Sequence, residues 1–160
     1  MGQLTYARGR SDFFKRASAA RAHVMDEAEF ERWLRQAEHT LESARSDMED
    51  GDYDWACFKA HQAAEYALKG LLRALGRGAF GHSVFRLIRE VADLGLEVGP
   101  ELLRAARRLD RHYLAPRYPN QWAEGAPVDY YDEQDAGEAI SEAKSIIEAV
   151  RTWHERLRSG

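Results

Sequence analysis

The sequence predicts an all-α fold, an antiparallel helical bundle of four to five helices, on three observations. Apolar residues recur at three- and four-residue spacing through most of the chain from Glu27 onward. Breaks rich in glycine or proline separate these segments, at Gly51, at Gly76 and Gly78, from Gly95 to Pro100, and from Pro116 to Pro127. No stretch of useful length alternates apolar and polar residues as a half-buried strand does.

The elements follow in order. A first helix from about Glu27 to Glu49 carries Phe30, Trp33, Leu34, Ala37, Leu41, Ala44 and Met48 on one face. Asp26 can cap it, acids suit its first turn, and Asp50-Gly51-Asp52 ends it. A second helix from about Tyr53 to Leu75 is apolar nearly all round, which places it at the centre of the bundle. A shorter helix from about Val84 to Leu94 presents Val84, Leu87, Ile88 and Val91. Pro100 suits the first turn of the next helix. Residues 114–131 form a proline-punctuated loop whose Tyr118, Trp122, Tyr130 and Tyr131 suggest packing on the bundle. The last helix, about Glu133 to Arg156, repeats Ala136, Ala139, Ile140, Ala143, Ile147, Val150 and Leu157.

At 160 residues, 44% hydrophobic and 31% charged, the chain reads as one globular domain with a core that needs no staples. No apolar run reaches membrane-spanning length, and the lone Cys57 sits in an apolar helical pattern. Both fit a cytoplasmic protein with no membrane partner. Residues 1–24 lack an apolar period and carry net +4 against −4 for the whole chain, which leaves −8 for the rest. We read 1–24 as a disordered basic arm or a mis-assigned start, and 25–160 as the domain.

Against that acidic background the stretch Glu101–Asn120 is unusually basic. Arg104, Arg107, Arg108 and Arg111 share helical spacing, followed by His112, Tyr113 and Arg117-Tyr118-Pro119. Such a set suits phosphate: Arg supplies a planar charged fork, and His exchanges a proton near neutral pH. The plainer alternative is a solvated charged face. On the second helix Gln62, Glu65 and Lys69 form a polar row beside His61, and Glu65 can pair with Lys69 at the surface. A His61/Glu65 metal pair lacks a third ligand in register, so no metal and no cofactor is expected.

These residues carry a family likeness. Trp33-Leu34 with Gln36-Ala37-Glu38, Gly51-Asp52-Tyr53, Ala56, Phe58, the run HQAAEYALKGLL, Gly81-His82-Ser83, and Leu109-Asp110 through Tyr113 to Arg117-Tyr118-Pro119 resemble a HEPN domain (higher eukaryotes and prokaryotes nucleotide-binding). The resemblance implies a helical bundle that pairs as a homodimer. It also implies a nucleotide- or RNA-phosphate-binding module partnered by a minimal nucleotidyltransferase in a toxin–antitoxin-type system. By this likeness Arg117 and Tyr118, with Lys69 and His82, are candidate phosphate-binding residues, and Arg104 and Arg111 of the basic stripe join them as candidates.

Ribonuclease members of the family carry an Arg, four to six residues, then a His. Arg107 and His112 match that spacing and would be the catalytic pair of a metal-independent endoribonuclease. In a regular helix five positions turn about 500°, leaving the two side chains roughly 140° apart. The pair therefore requires the helix to bend or end near His112, or else Arg108 takes the place of Arg107. Some members are modified on a Tyr two positions after the His. Leu114 stands there in this chain, with the Tyr at 113. Three readings stay open at this point: a binding module, a ribonuclease and a non-catalytic structural dimer.

Overall fold

In a computed structural model, residues 25–160 are described, and all regular structure among them is helical. The expected arm at 1–24 lies outside the described residues. Helix α1 runs Glu27–Asp50, α2 Tyr53–Ala74, α3 Val84–Asp93, α4 Pro100–Asp110 and α5 Glu133–Ser159. Two short 3-10 turns, Pro119–Gln121 and Pro127–Asp129, lie in the loop before α5.

The helices start and stop for local reasons. Asp26 accepts the Glu29 amide at 3.0 Å and opens α1, and Gly51 closes it in the left-handed conformation at φ 83°. The tight turn sends α2 back antiparallel, so the Asp26 amide bonds the Ala74 carbonyl at 2.9 Å. Lys59 ties the other end of the pair, to Asp47 at 2.6 Å and Ser43 at 2.9 Å. At the start of α5, Asp132 and Asp135 cap each other's backbone amides.

Helix α2 is the centre, touching all four other helices. Its buried face is built from alanine and leucine: Ala56, Ala60, Ala63, Ala64, Ala67, Leu68, Leu71, Leu72 and Ala74. Small side chains let neighbouring backbones approach closely. The limit is reached at Gly70, where a Cβ would stand 2.6 Å from Trp33 Cβ. Cys57 is fully buried there, and burial pushes its thiol up to about 12, so it behaves as a small hydrophobe.

Helix α5 lies along α2 and α1, and its far end is fastened to the start of the bundle. His154 stacks on Phe30 at 3.7 Å and bonds Glu27 through Nε2 at 2.7 Å. The loop between α4 and α5 is packed, as its aromatics suggest. Trp122 donates to the Ala115 carbonyl at 2.8 Å and stacks on Tyr130 at 3.9 Å, while Pro127 is buried. No described helix is long and apolar enough to cross a membrane.

Candidate functional site

The site grows from the junction where α4 ends against the start of α3. Asp110, the last residue of α4, accepts four hydrogen bonds: from Ser83 Oγ at 2.8 Å, the amides of Val84 at 2.7 Å and Phe85 at 3.1 Å, and His61 Nε2 at 3.2 Å. Burial alone would raise this carboxyl. The bonds from His61, Ser83 and the two amides outweigh that effect and hold it below the usual carboxylate range. His61, wholly buried on α2, completes its bonding with the Gln62 side chain at 3.1 Å. Three separate helices are thus fixed by one carboxylate, and the loop Gly81-His82-Ser83 is held rigidly between them.

His82 leaves this loop toward α2. Its Nδ1 meets Glu65 Oε1 at 2.9 Å, and its ring stacks on Tyr113 at 4.7 Å. Glu65 is only 2% exposed, and its other oxygen faces Lys69 Nζ at 3.5 Å. The sequence reading of Glu65 and Lys69 as a surface pair is corrected here. The carboxylate is interior, because Tyr113 and the His82 loop cover that side of α2, and it has two partners. His82 itself stays half exposed while its Nδ1 is engaged by Glu65. His61 and Glu65 do not gather as a metal pair, since His61 turns to Asp110 and Glu65 to His82 and Lys69. Among the described residues no group of three His, Cys, Asp or Glu side chains is arranged to hold a metal ion.

Beyond Asp110 the chain tightens: His112 donates its amide to the Leu109 carbonyl at 2.8 Å, in an i to i+3 turn. The turns that follow carry Tyr113 and Arg117. The Arg117 guanidinium carbon lies 4.2 Å from the Phe58 ring, 4.7 Å from Tyr113 and 5.0 Å from Tyr118. Its Nε donates to the Tyr113 carbonyl at 2.8 Å. A planar cation set among three rings, with Nε anchored, keeps its terminal N–H groups in a fixed direction. Tyr113 joins the two halves of the site, because the same ring packs against Arg117, His82 and His61.

The basic stripe of α4 is divided in space. Arg108 turns to α5 and binds Glu138 at 2.9 Å and Glu142 at 3.0 Å. Arg107 lies over the Phe85 ring of α3 at 4.5 Å. Arg104 and Arg111 are exposed. The expectation of four guanidinium groups on one stripe is therefore corrected: the partners of Arg108 lie far along the sequence on α5 and pull it out of line. His112 packs edge-on against Tyr131 at 5.7 Å, and its Nδ1 is buried with no hydrogen-bond partner among the described residues. Burial, with the positive fields of His61, Arg108 and Arg111, lowers its pKa to about 4. Although α4 ends just before His112, as the pairing requires, Arg107 and His112 turn to different neighbours within one chain.

Of the candidate residues, Lys69, His82, Arg117 and Tyr118 converge around Tyr113 and Glu65, and Arg104 and Arg111 stay outside that cluster. Phe58, Tyr113, Asp110 and His61 were not assigned to it from sequence. A signal for the first was present. Trp55, Phe58, Gln62, Glu65 and Lys69 follow one another at helical spacing and form a single stripe along α2.

An all-helical bundle with a polar seam on its central helix and an Arg-rich turn leading to Arg117-Tyr118-Pro119 defines the class. The chain belongs to the HEPN domain family, whose pattern it matches over residues 30–153. It is similar to TT1696 of Thermus thermophilus, at 40% identity and TM-score 0.74, covering 77% of this chain and 96% of that one. It is likewise similar to ST0689, an archaeal HEPN homologue, at 41% identity and TM-score 0.65, covering 78% and 96%. A HEPN domain protein of Thermotoga maritima aligns at 31% identity and TM-score 0.65, covering 78% and 98%. Among curated proteins none matches.

Proposed function

We propose that the chain is a nucleotide- or RNA-phosphate-binding HEPN module, with Arg117 as its principal phosphate contact. The observation that carries this is the setting of Arg117, a guanidinium ordered by three rings and a backbone carbonyl before any ligand arrives. Preorganisation lowers the entropy cost of holding an oxyanion, and Arg is suited to bidentate phosphate binding. The half-exposed His82 ring and the exposed Tyr118 extend the same surface. In this reading the module acts as a homodimer and recruits a minimal nucleotidyltransferase in a toxin–antitoxin-type pair, as its family likeness implies. Calorimetric titration with a nucleoside monophosphate tests it. Binding by the native protein that Arg117→Ala removes supports the assignment, and native protein that takes up no nucleotide refutes it.

A second reading, a metal-independent endoribonuclease using Arg107 and His112, is favoured by one observation. The His112 Nδ1 is buried and unpaired among the described residues, and strongly shifted groups of this kind concentrate at functional sites. This reading needs a second copy of the chain to bring another Arg107 to His112. Cleavage of RNA in EDTA that His112→Ala abolishes would carry it.

A further inference from the structure

The phosphate site has an unexplained neighbour. Trp55, in the first turn of α2, is 48% exposed, although it lies on the most apolar helix of the bundle. Its ring meets Phe58 at 6.3 Å with the planes at 74°, and Phe58 in turn lies 4.2 Å from the Arg117 guanidinium carbon. Leu114 and Tyr118, each 45% exposed, belong to the turns that carry Arg117. Large apolar surface is thus left in solvent immediately around an ordered cation.

We propose that Trp55 is the base-stacking residue of this site, so that its ligand is a nucleoside phosphate held by base and phosphate together, not a bare phosphate or phosphosugar. The inference rests on Arg117 binding phosphate. Trp55 and Arg117 are neighbours through one ring, Phe58, which is the relation a base and its own phosphate require in a single nucleotide. Phe58 braces both: it supports the indole edge-to-face and the guanidinium through its π-cloud. An indole offers the largest aromatic area for stacking, and every base has a π-face to place on it. A protein partner would not need the cation beside the ring, whereas a nucleotide uses both. The net charge of −4 fits a small ligand better than a long polyanion.

The test is calorimetry with AMP, ribose 5-phosphate and the dinucleotide pApA on the native protein and on Trp55→Ala, Trp55→Phe and Arg117→Ala. Trp55→Ala should weaken AMP about tenfold, the scale of losing one base–aromatic stack, and leave ribose 5-phosphate unchanged. Trp55→Phe should recover most of the loss, and Arg117→Ala should weaken all three ligands. A loss confined to AMP identifies a free nucleotide, and an equal or larger loss with pApA identifies a strand; both support the base subsite. If Trp55→Ala leaves AMP untouched while Arg117→Ala still weakens AMP and ribose 5-phosphate alike, the base subsite is overturned and the phosphate site stands. If no ligand binds the native protein, both fall. A Trp55→Ala protein with native affinities but an altered sedimentation coefficient overturns the proposal and assigns the patch to a second copy of the chain.

Discussion

Asp110 and Ser83 cap one helix together. Ser83 Oγ donates to Asp110 Oδ2 at 2.8 Å and accepts the Arg86 amide at 3.1 Å, while Asp110 takes the amides of Val84 and Phe85. The three donors at the start of α3 are therefore satisfied by two side chains, one of them on a different helix. Charge also favours the arrangement, since a carboxylate complements the positive end of the helix dipole.

Asp110→Ala should then cost about 3 kcal/mol, because it strands the Ser83 hydroxyl, two amides and the buried His61 Nε2 at once. In a domain of this size that is a fall of about 10 °C in thermal midpoint. Ser83→Ala, which removes one cap and leaves Asp110 in place, should cost about 1 kcal/mol. Equal losses for the two variants would mean that Asp110 acts only through Ser83.

The Glu65 carboxylate makes a second prediction. Removing one member of a buried charge pair is far more damaging than removing both, since the survivor is left desolvated. Glu65→Leu should destabilise the protein by about 3 kcal/mol. Lys69→Met placed on top should recover part of that loss, giving a coupling of at least about 1 kcal/mol between the two positions. The double-mutant cycle, measured by urea denaturation, checks it. Additive effects would show that Lys69 remains solvated beside an indifferent carboxylate.

How much of this was legible in the sequence depended on the range of the interactions. Helix identity rests on three- and four-residue periodicity, which is local, and the boundaries read at Glu27, Tyr53, Val84 and Glu133 are those observed. Gly51 and Asp26 act as the terminators their chemistry suggests. What sequence could not supply were contacts between residues far apart in the chain. Arg108 finds Glu138 and Glu142 on α5, Asp110 finds Ser83 on the approach to α3, and His82 reaches back to Glu65. Each depends on how the helices pack, and two of them place a charged residue where the sequence did not: Arg108 leaves the common stripe for α5, and Glu65 lies in the interior, not at the surface. Trp55 departs in the opposite direction: a helix apolar nearly all round places its residues in the core, yet in the first turn of α2 Trp55 stands half in solvent.

The separation of Arg108 from the rest of its stripe gives a third prediction. Its two carboxylate partners stand on α5, and burial raises the Glu142 carboxyl while Arg108 pulls it partly back. Arg108→Ala should loosen the packing of α4 on α5 and cost about 1 kcal/mol, a modest sum because the pair is partly exposed. Nucleotide affinity should be unchanged within error by calorimetry. A large loss of binding with intact stability would return Arg108 to the phosphate site.

His112 makes stability depend on pH in a direction that can be worked out. Its pKa falls from the ordinary 6.5 to about 4 in the folded chain, chiefly because its ring is buried against Tyr131. Between those two values the unfolded chain binds a proton at this position and the folded chain does not, so acidification favours unfolding. The contribution is complete above about pH 6.5 and is lost progressively as the pH falls through about 4. It amounts to at most about 3 kcal/mol for a shift of that size. Asp110, held below the usual carboxylate range, adds its own loss only at still lower pH. His112→Phe removes the titrating group and the unpaired Nδ1 while keeping a ring against Tyr131, so it should be neutral or stabilising at low pH. Urea midpoints at pH 7, 6 and 5 should therefore fall steeply for the native protein and distinctly less for the variant. The remaining five His residues are common to both, so the difference in slope belongs to position 112. Parallel slopes would mean that the imidazole accepts its proton within the fold, and the buried, neutral His112 described above would be wrong.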